Sequence, residues 1–362
     1  MIILGSTGSI GTQALHIAYK FNLEIEVLCA GENIDLLNSQ LKQCNPKIIV
    51  IKDYKKAKLV NKKPNQKLLF AEEGILEALN LAKSKLVLNA LVGFSGLKPS
   101  LESIKLNKKL ALANKESLVV AGFLMKSSKI IPVDSEHFAL KELLKDNKHI
   151  KKLIITASGG ALRNIPIKDL HSQTKEVVLK HPNWNMGKKI TIDSATMANK
   201  LLEVLEAKYL FNTNKIDALI EKNSIIHALI HTKDNALIAH LATNDMKLPI
   251  SYALLNKKAK YKPSIKELDL LNYNFSFEKI DTERYPLWNL KNELLKKPKL
   301  GIILNTSNEI LVDKFLNNKI KFGEISSGIF KAIEYFSPQI KHIHTINDIV
   351  SFDREIRNFT LA

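Results

Sequence analysis

Cysteine is nearly missing from this chain, with Cys29 and Cys44 the only two in 362 residues. Two thiols without metal-finger spacing exclude a disulfide scaffold and suit a reducing cytoplasm, where both are expected to be inert. No run of 18 apolar residues occurs, which excludes a membrane-spanning helix and a membrane partner. The opening "MIILGSTG" enters a strand and a glycine turn with neither basic leader nor cleavage site, so a soluble intracellular protein is expected. Arginine is scarce too: 163, 284, 354 and 357 are the only four among 54 basic residues. The net charge of +18 is therefore carried by lysines scattered in pairs such as Lys55-Lys56, Lys188-Lys189 and Lys296-Lys297. Bidentate base recognition favours arginine, so no nucleic-acid partner is expected, although a positive field can still gather phosphorylated small molecules.

What is present is an alternation of short apolar runs and amphipathic segments. Residues 1–133 offer "MIIL", "EIEVLCA", "KIIVI", "KLVLNAL", "KLALAN" and "IIPV" as strands, with helical text between them. This is the α/β pattern of an open parallel sheet, a Rossmann-like dinucleotide-binding domain. Residues 134–257 mix the strands "KKLIITAS", "SIIHALIHT" and "NALIAHLA" with one long helix, "SATMANKLLEVLEAKYLF", and predict a central α+β catalytic domain. Polar, proline-containing text over 258–283 predicts a linker, and three amphipathic stretches within 284–362 predict a small C-terminal helical bundle.

In the first strand-turn-helix unit, Gly5, Gly8 and Gly11 recur every third residue. Glycines admit a pyrophosphate close to the backbone, and the following helix presents unpaired N–H groups and a positive dipole end. The second strand ends at Gly31-Glu32-Asn33. An acid there hydrogen-bonds an unphosphorylated ribose and repels a 2′-phosphate, so Glu32 alone favours NAD; the alternative is that Glu32 faces solvent and Asn33 meets the ribose.

Asp134 and Glu136 flank Ser135 directly after "IIPV". In extended geometry both carboxylates point to one side and Ser135 to the other, unless the chain turns. They begin a Mg²⁺ or Mn²⁺ site but do not complete one, and a solvated D-x-E loop is the alternative. A third carboxylate is available on the long helix. It is apolar nearly all round, with Thr196, Asn199, Lys200, Glu203 and Glu206 as a single polar stripe. A stripe on a buried helix must face partners. Asp193 or Ser194 would cap that helix, so Ser194, Asn199 and Lys200 form a candidate anion site with Glu203 one turn on.

Three further segments fit. Ser158-Gly159-Gly160 ends a strand in a turn able to hold phosphate oxygens, or is a plain turn. "KHPNWNMGKK" puts His181, Trp184 and Met186 on a turn-rich loop suited to a lid. "LALANKESLVV" places Asn114, Lys115 and Glu116 at a sheet strand's C-terminal end, where open α/β sheets bind ligands; a surface Lys-Glu pair is the alternative.

Taken together, "GSTGSIGTQ", "ANKESLV", "PVDSEH", "HPNWNMGKKITIDSATMANK" with Glu203, and "LNTSNE" resemble the 1-deoxy-D-xylulose 5-phosphate reductoisomerase family, in that family's order over nearly the whole chain. The resemblance implies a homodimeric enzyme that converts deoxyxylulose phosphate to 2-C-methyl-D-erythritol 4-phosphate with NADPH and Mg²⁺ or Mn²⁺, in non-mevalonate isoprenoid synthesis. It implies that Asp134, Glu136 and Glu203 hold the metal, and that Lys115, Ser135 and Asn199 contact substrate hydroxyl and carbonyl groups. Ser158, Ser194, Asn199 and Lys200 would take the phosphate. His181, Trp184 and Met186 would belong to the closing loop, and Thr7, Gly8, Ser9, Ile10, Gly31, Asn33, Asn114, Glu116 and Gly187 would line the cofactor site. Two positions depart from the family pattern. Glu32 stands where Lys or Arg is common, and "ASGGALR" replaces "GSGGPFR".

Two competitors make different demands. Another metal-assisted NAD(P) oxidoreductase would share the glycine loop without needing the Ser194, Asn199 and Lys200 trio. A nucleotide sensor or polynucleotide binder would give the carboxylates no reason to converge and would bind with strong salt dependence.

Overall fold

The computed structural model describes residues 1–125, 129–261 and 263–361. Lys262, within the expected linker, and Ala362, at the end of the expected bundle, lie outside them. Seven strands form one all-parallel sheet: β1 Ile2–Leu4, β2 Val27–Ala30, β3 Ile48–Ile51, β4 Lys67–Phe70, β5 Leu86–Asn89, β6 Lys109–Leu112 and β7 Ile130–Pro132. Their order is β4-β3-β2-β1-β5-β6-β7. The direction of winding reverses at β1, so the loops after β1 and β5 part and leave the crevice in which such sheets bind dinucleotides. The expected strands are there, and β4 is added to them. It is an edge strand of four residues, "KLLF", with only Leu69 buried, too short and weakly patterned to stand out.

These strands belong to a compact unit made of the described residues within 1–117, 125–135 and 245–266. Its core joins Ile3, Leu28 and Ile49 of the sheet with Ala14, Leu15 and Ala18 of the helix Ser9–Lys20, and with Ile250, Ala253 and Leu254 of the helix Lys247–Leu255. A helix far along the chain thus seals one face of the first sheet.

The other compact unit comprises residues 118–124, 136–244 and 267–361 of the described chain. It holds a four-stranded sheet ordered β11-β10-β8-β9, from β8 Ile150–Ala157, β9 Ile216–Ile220, β10 Ile226–Thr232 and β11 Leu237–Leu241. β8 pairs parallel with β9 and antiparallel with β10, and β10 antiparallel with β11. β9, "IDALI", is the strand the sequence pattern did not separate from its polar flanks.

The expected single helix from Ser194 to Phe211 is two helices, Lys188–Thr196 and Ala198–Phe211. Met197 sits between them in the left-handed region, at φ 66°, with its side chain buried. The Thr196 hydroxyl accepts from Ala198 N at 3.3 Å across the break. Ser194 therefore ends one helix instead of capping the next. Such a residue costs about 1–2 kcal/mol and has no sequence signature when it is not glycine. The polar stripe does run along a buried helix: Lys200, Glu203 and Glu206 are all buried.

Extended geometry at Asp134–Glu136 is also corrected. β7 ends at Pro132 and the helix Ser135–Asp146 begins at once, which puts Glu136 in its first turn. The three C-terminal stretches are the helices Leu300–Leu316, Phe322–Phe336 and Ile346–Leu361. The first is buried over most of its surface, even at Asn305, Thr306, Ser307 and Asn308, with Asp313 exposed near its end.

Candidate active site

The glycine loop is built by close approach. Gly5, at φ 86°, would drive a Cβ to 2.5 Å from the Ala90 carbonyl oxygen, and a Cβ on Gly11 would lie 2.1 Å from the Gly5 oxygen. Gly5 and Ser6 donate their N–H groups to the Cys29 carbonyl at 3.0 and 2.7 Å, locking the loop to β2. Gly8 caps the helix Ser9–Lys20 without a side-chain bond, and Gly8 and Ser9 are exposed. Thr7, Gly8, Ser9 and Ile10 thus present a helix N-terminus whose orphan N–H groups suit a pyrophosphate.

The neighbouring loops are held by amides. Asn33 caps the helix Ile34–Leu41 by accepting from Leu36 N at 3.0 Å. Asn114, buried, donates to the Leu91 and Gly93 carbonyls at 2.9 and 2.8 Å and to Glu116 at 3.2 Å. Its side chain is committed to shaping the loop after β5. Two residues on the same rim form an ion pair: Lys115 Nζ lies 2.8 Å from Asp134 Oδ2, both side chains nearly buried. The ion pair fixes the position of the ammonium at the strand's C-terminal end.

In the second unit the ammonium of Lys200, fully buried, stands between two carboxylates. It is 2.7 Å from Glu136 Oε1 and in contact with Glu203 Oε2. Burial pushes this ammonium down, but Glu136 and Glu203 outweigh burial and hold its pKa above the ordinary lysine value. Asn199 Nδ2 donates to the other oxygen of Glu203 at 2.6 Å. His137 continues the cluster, with Nε2 2.9 Å from the Glu203 carbonyl and Nδ1 3.5 Å from Glu206 Oε2. The sequence reasoning passed over His137 and gave Glu206 no role. Both lie one helical step from residues it singled out, which was the signal available.

A second cluster gathers Ser158, His181 and Ser194. His181 Nδ1 accepts the backbone N–H groups of Asn183 and Trp184 at 3.1 and 3.0 Å, so its proton belongs on Nε2, 2.9 Å from Ser158 Oγ. Burial, then the charge of Arg163, lowers the His181 pKa to about 4, so the ring is neutral near pH 7. Ser158 Oγ accepts from His181 and from Gly160 N, and keeps its own proton to give; Ser194 Oγ is 3.5 Å away. The turn is braced from a distance. Arg163 donates to the Ser158 and Lys222 carbonyls, and Tyr285 to that of Gly159 at 2.8 Å. Gly160, at φ 70°, packs so tightly on the Ser194–Ala195 backbone that a Cβ would come within 2.7 Å. Arg163 and Tyr285 escaped sequence reasoning because they act on backbone carbonyls, which carry no side-chain signal, and those of Lys222 and Gly159 lie 59 and 126 residues away.

Trp184 and Met186 are half-buried, where exposed lid residues were expected, and the Trp184 ring tilts against His227 at 6.3 Å. Gly187 caps the helix Lys188–Thr196. That helix is anchored by Asp193, which accepts from Lys189 at 2.7 Å and from Asn308 at 2.8 Å.

Comparison with known proteins names one chemistry throughout. The family model described as 1-deoxy-D-xylulose 5-phosphate reductoisomerase matches residues 1–122, and two models of that enzyme's C-terminal domain match 130–211 and 241–359. The curated 1-deoxy-D-xylulose 5-phosphate reductoisomerase of Wolinella succinogenes is 54% identical over 359 residues, covering 99% of each chain. That of Helicobacter pylori strain HPAG1 is 51% identical over 362 residues, covering 99% of this chain and 98% of the relative. A crystal structure of DOX-P reductoisomerase with NADPH, fosmidomycin and magnesium superposes with TM-score 0.92 at 31% identity, covering 99% of this chain and 97% of the other. The Zymomonas mobilis enzyme with NADPH gives TM-score 0.85 at 30% identity, with the same coverage.

Proposed function

Because the chain belongs to the 1-deoxy-D-xylulose 5-phosphate reductoisomerase family, we propose that Lys200 and the carboxylates around it form the substrate and metal site of that reaction. The enzyme is an NADP-dependent oxidoreductase. With NADPH and a divalent metal it rearranges and reduces 1-deoxy-D-xylulose 5-phosphate to 2-C-methyl-D-erythritol 4-phosphate, in non-mevalonate isoprenoid precursor synthesis.

The observation that carries the residue roles is the buried ammonium between Glu136 and Glu203. A position that already holds one positive charge between two hard oxygen donors suits Mg²⁺ or Mn²⁺. Glu136 and Glu203 would hold the ion together with Asp134, joined to Glu136 through Ser135. When bound, the metal polarises the substrate's carbonyl and neighbouring hydroxyl oxygens and NADPH supplies the hydride. Lys200 then pairs with the substrate phosphate in place of the carboxylates, alongside Ser158, Ser194 and Asn199. Neutral His181 keeps the Ser158 hydroxyl turned to donate, so the positive charge facing the phosphate comes from Lys200. Lys115 and Ser135 hold the reacting hydroxyl and carbonyl groups, while His181, Trp184 and Met186 close over them and exclude water. Thr7, Gly8, Ser9, Ile10, Gly31, Asn33, Asn114, Glu116 and Gly187 line the cofactor site.

Purified protein should oxidise NADPH on addition of deoxyxylulose phosphate when Mg²⁺ or Mn²⁺ is present, and stop when the metal is chelated. Absence of turnover with both metals would overturn the assignment.

We also propose a homodimer working in the cytoplasm. No helix among the described residues is long and apolar enough to cross a membrane. Edge strand β11 exposes Leu237 at 59% and Ile238 at 36%, an apolar edge that a second copy would cover. Light scattering should give twice the 40.7 kDa chain mass; a monomer at micromolar concentration would exclude the pairing.

A further inference from the structure

An acidic residue after β2 and the use of NADPH pull in opposite directions, and Glu32 is where they meet. Its carboxylate is exposed and carries two lysines. Lys56 Nζ lies 2.7 Å from Oε2 and 3.2 Å from the residue's own carbonyl oxygen, and Lys52 Nζ lies 3.1 Å from Oε1. Hydrogen bonds from Lys56 and then Lys52 hold the Glu32 carboxyl below the usual carboxylate range. At Glu32 itself one negative charge therefore meets two positive ones.

The turn that bears Lys56 is built rather than loose. Asp53 caps the short helix Tyr54–Leu59 by accepting from Lys55 N at 2.9 Å. Asn38 ties the end of that turn to the helix Ile34–Leu41, donating to the Leu59 carbonyl and accepting from Asn61 N, both at 2.8 Å. That helix starts at Asn33, beside Gly31 and Glu32. A Cβ placed on Gly31 would meet nothing within 4 Å, so the surface beside the pair is open to a ligand.

We propose that Lys52 and Lys56 form the subsite for the 2′-phosphate of NADPH, with Glu32 as their counter-ion until that phosphate takes its place. The proposal rests on the NADPH-dependent function above and says which side chains read the phosphate. Exposed ion pairs contribute little. A phosphate monoester of nearly two charges, with three acceptor oxygens, gives both ammonium groups better partners than one carboxylate. The exchange runs toward bound coenzyme. Glu32 is then no barrier to NADPH, because its charge is already more than balanced by the groups that move to the phosphate.

The test uses the full chain without substrate. NADPH and NADH binding is followed by nicotinamide fluorescence, and 2′,5′-ADP against 5′-AMP by calorimetry. Lys52→Gln combined with Lys56→Gln should weaken NADPH and 2′,5′-ADP about a hundredfold, roughly tenfold per charge-assisted contact, while NADH and 5′-AMP change less than about twofold. Glu32→Gln should tighten NADPH several-fold. Equal losses for NADPH and NADH, or no loss for either, would overturn the subsite. Weaker NADPH binding in Glu32→Gln would overturn the counter-ion role. A parent protein that binds NADH as tightly as NADPH would instead bring down the coenzyme assignment, a different failure from that of the lysines.

Discussion

Glu203→Gln is expected to lower turnover about a thousandfold or more while NADPH binds within about twofold of the parent. The magnitude follows from losing one anionic metal donor. Metal polarisation supplies several kcal/mol of transition-state stabilisation, and each 1.36 kcal/mol is tenfold in rate. The amide is isosteric, so Asn199 keeps its partner and Lys200 keeps Glu136 at 2.7 Å. The fold should survive. Coenzyme binding is the control, because the glycine loop lies in the other compact unit from Glu203. Turnover above a tenth of the parent's would remove Glu203 from the metal site, and a parallel loss of NADPH binding would show damage to the fold instead.

Local patterns told most about the first unit. Gly5 and Gly11 are legible because each answers a clash, Gly5 with the Ala90 carbonyl just after β5, the neighbour of β1, and Gly11 with the Gly5 oxygen, and apolar β-branched runs mark strands buried on both faces. Edge strand β4 lacks that signal. The break at Met197 was invisible for another reason: the left-handed residue is a buried methionine, held there by tertiary packing and not by its own preference. The candidate site divides the same way. Asp134, Glu136, Lys200 and Glu203 stood out as charges in apolar surroundings. Apart from the Arg163 bond to Ser158, the bracing of that turn by Arg163 and Tyr285, and the lysines on Glu32, depend on partners 20 to 126 residues away along the chain, which a local window does not contain.

Lys200→Met is expected to separate the two duties of that lysine. In metal-free protein its ammonium is the cation between Glu136 and Glu203, and it is fully buried. Removing one partner of a buried ionic cluster costs about 3–5 kcal/mol, because the charge left behind stays desolvated. The variant should therefore melt several degrees lower without metal, by more than a surface lysine change would explain. One of the two carboxylates would take up a proton to relieve the repulsion, so the metal-free variant gains stability as pH falls. Added Mg²⁺ or Mn²⁺ should then raise its melting temperature more than the parent's, since in the variant no ammonium has to be displaced and any ion that binds only the folded state stabilises it. Turnover should still fall by at least a hundredfold, through loss of the charge that pairs with the substrate phosphate. If metal stabilises parent and variant equally, Glu136 and Glu203 do not form the cation site, whatever the activity shows.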